Sequence, residues 1–150
     1  MYKSIKVRIY PNKDQTRVLT QHFGATRFVY NYFLNEINES RELDKTSKVP
    51  SAFDLNKKIT VLKKEDDYSW LNDIHSQVLQ QSASNLATAF KRFFGKVSKY
   101  PNFKSKYNGR QSIMFPQGNS IICNKIKVPK LGLIKAKFDR VIDDEAKIKS

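Results

Sequence analysis

Cations and aromatic rings alternate between Lys91 and Lys106, where Lys, Arg, Phe and Tyr follow one another closely. The charge around this stretch is one-sided, because residues 74–138 hold 12 Lys and Arg and no Asp or Glu. Such a surface repels itself unless a polyanion neutralises it. Nucleic acid fits, since cations neutralise phosphates while rings stack on bases. A solvated lysine-rich face with core aromatics behind it stays open as the alternative.

Composition and charge describe a basic, globular chain. The 150 residues include 28 Lys and Arg against 14 Asp and Glu, a net charge of +14, and 39% are hydrophobic. An anionic membrane is the other common partner of a basic chain, but no stretch approaches the ~20 apolar residues that span a bilayer. The first residues lack the apolar run of a signal peptide. Cys123 is the only cysteine, which excludes a disulfide framework. We therefore expect a cytoplasmic, nucleoid-associated protein with no membrane partner.

The first elements that must position these side chains are a strand and a helix. Residues 3–9 alternate between polar and apolar side chains, which is typical of a half-buried strand. Ile5 and the apolar residues two and four places further on would share its buried face, and Lys6 and Arg8 its basic outer face. Asn12 and Gln15 then form a capping box that predicts the start of a helix.

The helical pattern after Asn12 is interrupted by a glycine. It predicts a first helix as far as Gly24, a break there, and a second helix over about residues 25–40. Two helices joined at a glycine resemble a helix-turn-helix in outline, although any helical hairpin shows the same pattern. Arg27 and Asn31 on the second helix could face a partner or simply solvent.

Two further helices are predicted in the middle of the chain. A second capping box precedes a helix over about residues 52–64, which should bury Phe53 together with Leu55, Ile59 and Leu62. A long helix over about residues 73–98 carries an apolar stripe that extends to Phe94 and Val97. Its opposite face holds neutral amides and hydroxyls, which suit the edges of bases but are equally compatible with a plain solvated surface.

Short strand patterns follow Arg110. They cover residues 112–115, 120–123, 125–128 and 133–138, with another run starting near Ile148. The lone N-terminal strand must pair with these later strands. The expected fold class is therefore α+β, with a helical bundle over residues 12–109 inserted into a small antiparallel, barrel-like β module of residues 1–11 and 110–150. Because the alternation is still running at the last residue, we expect that barrel to be incomplete.

No catalytic constellation is visible in the sequence. His22 and His75 are the only histidines and lie on different predicted helices, so each is expected to be a satisfied or exposed histidine. No phosphate-binding loop, metalloprotease motif or nucleophile elbow occurs. The acidic cluster Asp143, Asp144 and Glu145 is expected to form a solvated loop. We predict no catalytic residues and no metal site in this chain.

Seven sequence blocks together resemble one known family. They are RIYP at 8–11, RFVYN at 27–31, WL at 70–71, LQQSASNL at 79–86, AFKRFF at 89–94, PNFKSK at 101–106 and IKVPKLG at 126–132. In this order they resemble TnpB (OrfB), the family of transposon-encoded, RNA-guided nucleases. The resemblance runs nearly end to end through the chain but covers only the N-terminal part of the family. It implies a wedge-type β-barrel interrupted by a helical recognition domain.

The resemblance also implies what the chain lacks. The family's RuvC-like nuclease fold, with its magnesium ligands, and its four-cysteine zinc element lie in the part of the family that this chain does not match. The implied function is binding of guide RNA and of the target-adjacent motif in double-stranded DNA without cleavage, and no cofactor is expected in this chain. Two alternatives stay open: one part of an active endonuclease completed by a separate catalytic chain, or a non-functional truncated remnant. The oligomeric state is not predicted.

Site residues are carried over by position from the family. The residues implied to read the DNA motif are Phe53, Asn56, Ser76, Gln77, Gln80, Pro116 and Gln117. The residues implied to contact phosphates are Lys6, Arg8, Arg27, Lys91, Lys104, Lys106 and Lys127, and Tyr10 and Phe103 are implied to stack on bases. Each of them could instead serve as ordinary surface charge or core packing.

Overall fold

Three α-helices, one 3₁₀ helix and four short strands form the structure, a computed structural model that describes residues 2–142 and 146–150. The helices are α1 (Lys13–Leu43), α2 (Ala52–Leu62) and α3 (Ser76–Phe94), with the 3₁₀ helix at Asp66–Asp73. The strands are β1 (Arg8–Tyr10), β2 (Ser120–Ile122), β3 (Lys125–Val128) and β4 (Gly132–Lys137). The predicted α+β class is confirmed.

The chain divides into two compact units. We call Met1–Thr20 with Met114–Ser150 the sheet unit, and Gln21–Ile113 the helical unit. The three predicted acidic loop residues, Asp143, Asp144 and Glu145, lie outside the described residues.

The sheet unit contains one antiparallel sheet with the strand order β1-β4-β3-β2. The N-terminal strand pairs with a C-terminal one, as predicted: Arg8 lies opposite Lys137 and Tyr10 opposite Lys135. The expected barrel is not seen, because β1 and β2 remain the two edges of an open sheet. Four strands of three to six residues are fewer than the five or more that small β-barrels use.

Several predicted strands are shorter or absent. β1 covers only Arg8–Tyr10, and residues 3–7 are outside it, because its partner β4 ends at Lys137, opposite Arg8. Ile5 is accordingly 46% exposed rather than buried. Neither residues 112–115 nor the described residues from Ile148 onward form a strand. Their alternation alone does not make a strand, since a strand also needs a neighbour with which to pair.

The capping box at the start of α1 is confirmed. The Asn12 side chain accepts the Gln15 N–H at 2.8 Å, and Gln15 Oε1 accepts the Asn12 N–H at 3.0 Å. The amide nitrogen of Gln15 also donates to the carbonyls of Leu133 at 2.7 Å and Leu131 at 3.2 Å. One glutamine therefore caps the helix and fastens its first turn to β4.

The predicted break at Gly24 is wrong, because α1 continues through it to Leu43. His22, Ala25, Val29 and Phe33 are all buried, so the apolar stripe runs across the glycine without a change of face. Burial of that stripe outweighs the roughly 1 kcal/mol by which glycine disfavours a helix interior. The buried His22 is satisfied, as expected, since its Nε2 accepts the backbone N–H of His75 at 3.2 Å.

The core of the helical unit lies between α1, α2, α3 and the 3₁₀ helix. Its fully or nearly fully buried members include Phe33, Leu34, Leu55, Ile59, Leu71, Leu79, Leu86 and Phe90. The second capping box is present, with Ser51 and Asp54 bonded to each other. The Ser51 hydroxyl and backbone N–H together hold the pKa of Asp54 below its ordinary value.

Three large side chains predicted in the core are exposed. Phe53 is 67% exposed, because it lies about 200° around the helix from Leu55 at 100° per residue. Phe94 and Val97 are more than half exposed, because α3 ends at Phe94 and Gly95 is its C-cap, before the predicted end near residue 98. The predicted start near residue 73 is also too early, because residues 66–73 form the 3₁₀ helix.

Replacing Gly24 by alanine tests the continuity of α1. A β-carbon there would meet only Arg27 Nη2, at 3.8 Å, so Gly24→Ala should raise the free energy of unfolding by about 0.5–1 kcal/mol. Urea denaturation followed by circular dichroism measures this. The contrasting variant is Gly118→Ala, which should lower the free energy of unfolding. Gly118 has a φ of +80°, and a β-carbon there would lie 3.0 Å from Pro129. A loss of stability and helix content in Gly24→Ala would contradict an unbroken α1.

Candidate nucleic-acid interface

One face of the sheet carries five cations. Strand alternation and the pairing register place Arg8, Lys137, Lys135, Lys125 and Lys127 on the same side, and all five are exposed. We call these five residues the cationic sheet face. The residues between them on β4 point to the opposite side, where Ile134 and Ala136 are buried.

Like charges lie directly opposite each other on this face. Arg8 is paired with Lys137 across β1 and β4, and Lys125 with Lys135 across β3 and β4. Opposed residues in an antiparallel pair have β-carbons about 4.5–5.5 Å apart, so like charges there destabilise the sheet. The four strands contain no Asp or Glu. Positive charge on this face is therefore not neutralised by the strands that carry it.

Apolar side chains lie among these cations. Tyr10, Ile122 and Leu133 share the face by register, and each is between 44% and 47% exposed. The Arg8 guanidinium carbon is 5.8 Å from the centre of the Tyr10 ring. A phosphate chain with unstacked bases could use both the charges and the ring.

A second basic surface belongs to the helical unit. Residues 99–111, which we call the basic segment, have no helix or strand and lie along α1. The Tyr100 hydroxyl donates to Asn38 at 2.6 Å, Lys104 is bonded to Asn31, and Arg27 donates to Gln111. As the residue numbers of the segment increase, those of their partners on α1 decrease. The segment therefore runs antiparallel to the helix.

Aromatic rings of α1 and α3 pack against the basic segment. Tyr100 meets Phe90 and Phe93 edge-on, with ring centres 5.4 Å and 5.1 Å apart. The Lys104 ammonium is 4.9 Å from the centre of the Tyr30 ring, and burial raises the pKa of the Tyr30 hydroxyl. Phe103, in contrast, is 55% exposed. The segment therefore keeps an aromatic ring at the surface among its cations.

The residues implied to contact phosphates occupy different settings. Lys6 is exposed just before β1, Lys91 is exposed in the last turn of α3, and Lys106 is exposed in the basic segment. Arg8 and Lys127 belong to the cationic sheet face. Arg27 differs from the others, because its guanidinium already donates to Gln111.

Most residues implied to read the DNA motif lie on α2 and α3. Phe53 is exposed on α2, with the Lys57 ammonium 4.4 Å from its ring centre. Asn56 is half-buried, and its Oδ1 has no hydrogen-bond partner among the described residues. On α3, Ser76 and Gln80 are exposed and Gln77 is half-buried. The other two belong to the sheet unit.

Pro116 and Gln117 precede β2 in the sheet unit, where Pro116 is half-buried and Gln117 is exposed. The seven motif-reading positions are thus divided between the two units, five in one and two in the other.

Sequence reasoning missed several residues of these surfaces. Lys125, Lys135 and Lys137 complete the cationic sheet face, and their alternation with apolar residues was the available signal. Asn38 on α1 and Gln111 within the basic segment take part in the contacts that hold the segment, but no local pattern identifies a contact between residues so distant in sequence.

No group of three or more His, Cys, Asp or Glu comes together in the part of the chain that the structure describes. Nor does any helix among the described residues have the length and apolar character to cross a membrane.

Comparison with known proteins gives a consistent assignment. A family described as the OrfB/IS605 helix-turn-helix domain matches residues 1–46. A Streptomyces pristinaespiralis protein provisionally described as an RNA-guided DNA endonuclease is 37% identical over 112 residues, which cover 73% of this chain and 27% of the relative. InsQ of Escherichia coli K12, with the same provisional description, is 30% identical over 142 residues, or 93% of this chain and 35% of the relative.

A third relative is matched over almost its whole length. The virulence protein VsdF of Salmonella dublin is 34% identical over 115 residues, which cover 71% of this chain and 96% of VsdF. By contrast, the chain spans about a quarter to a third of the first two relatives. The ordered sequence blocks, the matching domain and these relatives agree: the chain belongs to the TnpB (OrfB) family and corresponds to its N-terminal part.

Proposed function

We propose that this chain is a nucleic-acid-binding fragment of a TnpB-like nuclease, which binds guide RNA and the target-adjacent DNA motif without cutting. The observation that carries the proposal is the cationic sheet face, where Arg8 faces Lys137 and Lys125 faces Lys135. Two relatives are named as RNA-guided DNA endonucleases, which supports RNA and DNA as the polyanions.

The sheet face suits a phosphate backbone for a physical reason. Each like-charged pair opposes folding by a few tenths of a kcal/mol up to about 1 kcal/mol. A phosphate bound over the pair is attracted by both cations and offsets their mutual repulsion. Its binding also releases counterions into solution. Because contacts to phosphates carry no base information, we assign this face to the guide RNA scaffold and the sheet unit to the family's wedge-type module.

The helical unit suits the reading of bases. Exposed Ser76 and Gln80 on α3 can donate and accept hydrogen bonds, as the edges of base pairs require. Phe53 presents an exposed ring on α2 beside the Lys57 ammonium. We assign the helical unit to the recognition domain, with the DNA motif as its ligand.

We propose that cleavage requires the catalytic region of the family's proteins, which this chain does not match. A two-metal nuclease needs several carboxylates converging on magnesium, and the described residues form no such group. The chain is expected to leave target DNA intact when it is incubated with guide RNA and Mg²⁺. Gel electrophoresis of end-labelled DNA tests this, and a cut that the purified chain makes alone would overturn it. If cleavage occurs only after a separate catalytic chain is added, the alternative function is favoured, in which this chain is one part of a split endonuclease.

Binding should weaken steeply as salt rises. If each of the five sheet cations neutralises one phosphate of single-stranded RNA, the logarithm of the binding constant should fall with a slope of about −3 to −4 against the logarithm of salt concentration, at roughly −0.7 per contact. Fluorescence anisotropy with a labelled RNA between about 50 and 200 mM KCl measures the slope.

Charge-removal variants locate the contacts. Replacing both Lys125 and Lys135 by glutamine should reduce the magnitude of the slope by about 1.4. The matched control is Lys58→Gln, because the Lys58 ammonium already pairs with Glu36 at 2.9 Å. Wild-type affinity that is the same at both ends of the salt range would contradict the proposal.

Reversing one sheet charge should separate stability from binding. Lys137→Glu places a carboxylate opposite Arg8, so the free protein should gain up to about 1 kcal/mol of stability while RNA binding weakens. Thermal melting and anisotropy measure the two effects. Lys3→Glu makes the same charge change at an exposed residue outside the sheet and should not stabilise. Loss of stability in Lys137→Glu, or unchanged RNA affinity, would contradict the assigned role of this face.

A further inference from the structure

The basic segment is part of a longer stretch that has no regular secondary structure. No helix or strand occurs between the end of α3 at Phe94 and the start of β2 at Ser120. Structureless segments of this length are uncommon in compact domains and are usually functional or disordered. A flexible segment would lose conformational entropy on binding, which weakens affinity. Contacts that fix the segment beforehand would remove that loss.

Asn31 makes the central contact. Its Nδ2 donates to the Lys104 carbonyl at 2.9 Å, and its Oδ1 accepts the Lys104 N–H at 2.7 Å. One side-chain amide therefore holds both backbone groups of one residue, as a neighbouring strand would. Among the uncharged side chains, only the amides of Asn and Gln combine a donor and an acceptor in this planar geometry.

Two further contacts hold the segment on the same side of α1. Asn38 accepts from Tyr100 at 2.6 Å, and Arg27 donates to Gln111, whose own amide donates to the Lys106 carbonyl at 3.2 Å. The three α1 positions are separated by four and seven residues, which places them on one helix face. Asn31 is the middle one and the one bonded directly to a basic residue of the segment.

The cations that this anchor places are close to it. Lys104 lies directly at the contact with its ammonium over the Tyr30 ring, and Lys106 is exposed two residues further on. Phe103 precedes the contact and is exposed. Two charges and a ring are thus fixed relative to α1 by a neutral side chain.

We propose that Asn31 is a positioning residue for nucleic-acid binding: it does not touch the ligand, but it holds Lys104, Lys106 and Phe103 in their binding arrangement before the ligand arrives. This inference rests on the proposed function. The inference adds to that function a neutral residue that determines how many cations contact phosphates.

The salt slope distinguishes positioning from a purely structural role. Asn31→Ala removes no charge, so a variant that was only less stable would keep the wild-type slope in its folded fraction. Positioning predicts about a tenfold weaker binding at about 100 mM KCl and a slope smaller in magnitude by roughly 1–2, because up to two cations no longer meet phosphates together. Anisotropy with a labelled RNA hairpin and with a labelled DNA duplex measures both.

Asn35→Ala is the matched control. Asn35 is an exposed asparagine on the same helix, and its amide donates to Glu39 at 3.0 Å. Its replacement should leave affinity within about twofold and the slope unchanged, whereas Lys104→Gln should reproduce part of the loss seen in Asn31→Ala. In the double variant Asn31→Ala/Lys104→Gln, the two losses should be less than additive, since both act through Lys104.

The possible outcomes separate the two proposals. Wild-type protein that binds neither RNA nor DNA would overturn the proposed function itself. Salt-dependent wild-type binding with an unchanged slope in Asn31→Ala would overturn the positioning role alone. If Asn31→Ala does not fold, amide hydrogen exchange of the wild-type protein provides the test. The Lys104 amide hydrogen should exchange slowly with solvent in the absence of nucleic acid. Fast exchange would overturn the inference.

Discussion

Repulsion between cations on one sheet is the constraint on which this account depends. Arg8 faces Lys137 and Lys125 faces Lys135, with no acidic residue in the four strands. A sheet selected only for stability would alternate the signs of charge across its strands, because opposite charges stabilise such pairs. The arrangement makes physical sense when phosphates are the usual neighbours, since they supply the missing negative charge.

The helical unit meets the same requirement by a different arrangement. Its cations lie in the basic segment, which has no ladder of backbone hydrogen bonds, so polar side chains of α1 replace that ladder. Those side chains share one face because they recur at helical spacing along the part of α1 that follows Gly24. The same helix thus packs the core through its buried stripe and contacts the basic segment through Arg27, Asn31 and Asn38.

Much of the architecture could be predicted from local sequence patterns. Both capping boxes, β3, and the pairing of the N-terminal strand with the C-terminal strands were predicted, because caps and alternation depend on neighbouring residues. The uninterrupted α1 was not, since its continuity depends on packing with residues far away in sequence. The exposure of Phe53 was not predicted, although its spacing from Leu55 indicates the opposite face of the helix.

The candidate site was predictable in its charge but not in its geometry. Alternation predicted a basic outer face with Lys6 and Arg8, and the resemblance implied a phosphate contact for Lys127, whereas the opposition of like charges required the strand register. The implied phosphate contact of Arg27 stays a prediction, whereas the hydrogen bond from its guanidinium to Gln111 was not predicted. Such a long-range hydrogen bond leaves no local trace in sequence.

Lysine footprinting tests the central claim most directly. The protein is acetylated with and without bound RNA, and the reactivity of each lysine is read by mass spectrometry. We predict strong protection of Lys125, Lys127, Lys135 and Lys137, together with Lys104 and Lys106, while exposed Lys48 and Lys64 keep their reactivity. Protection spread evenly over all lysines, or absent from the sheet face, would contradict it.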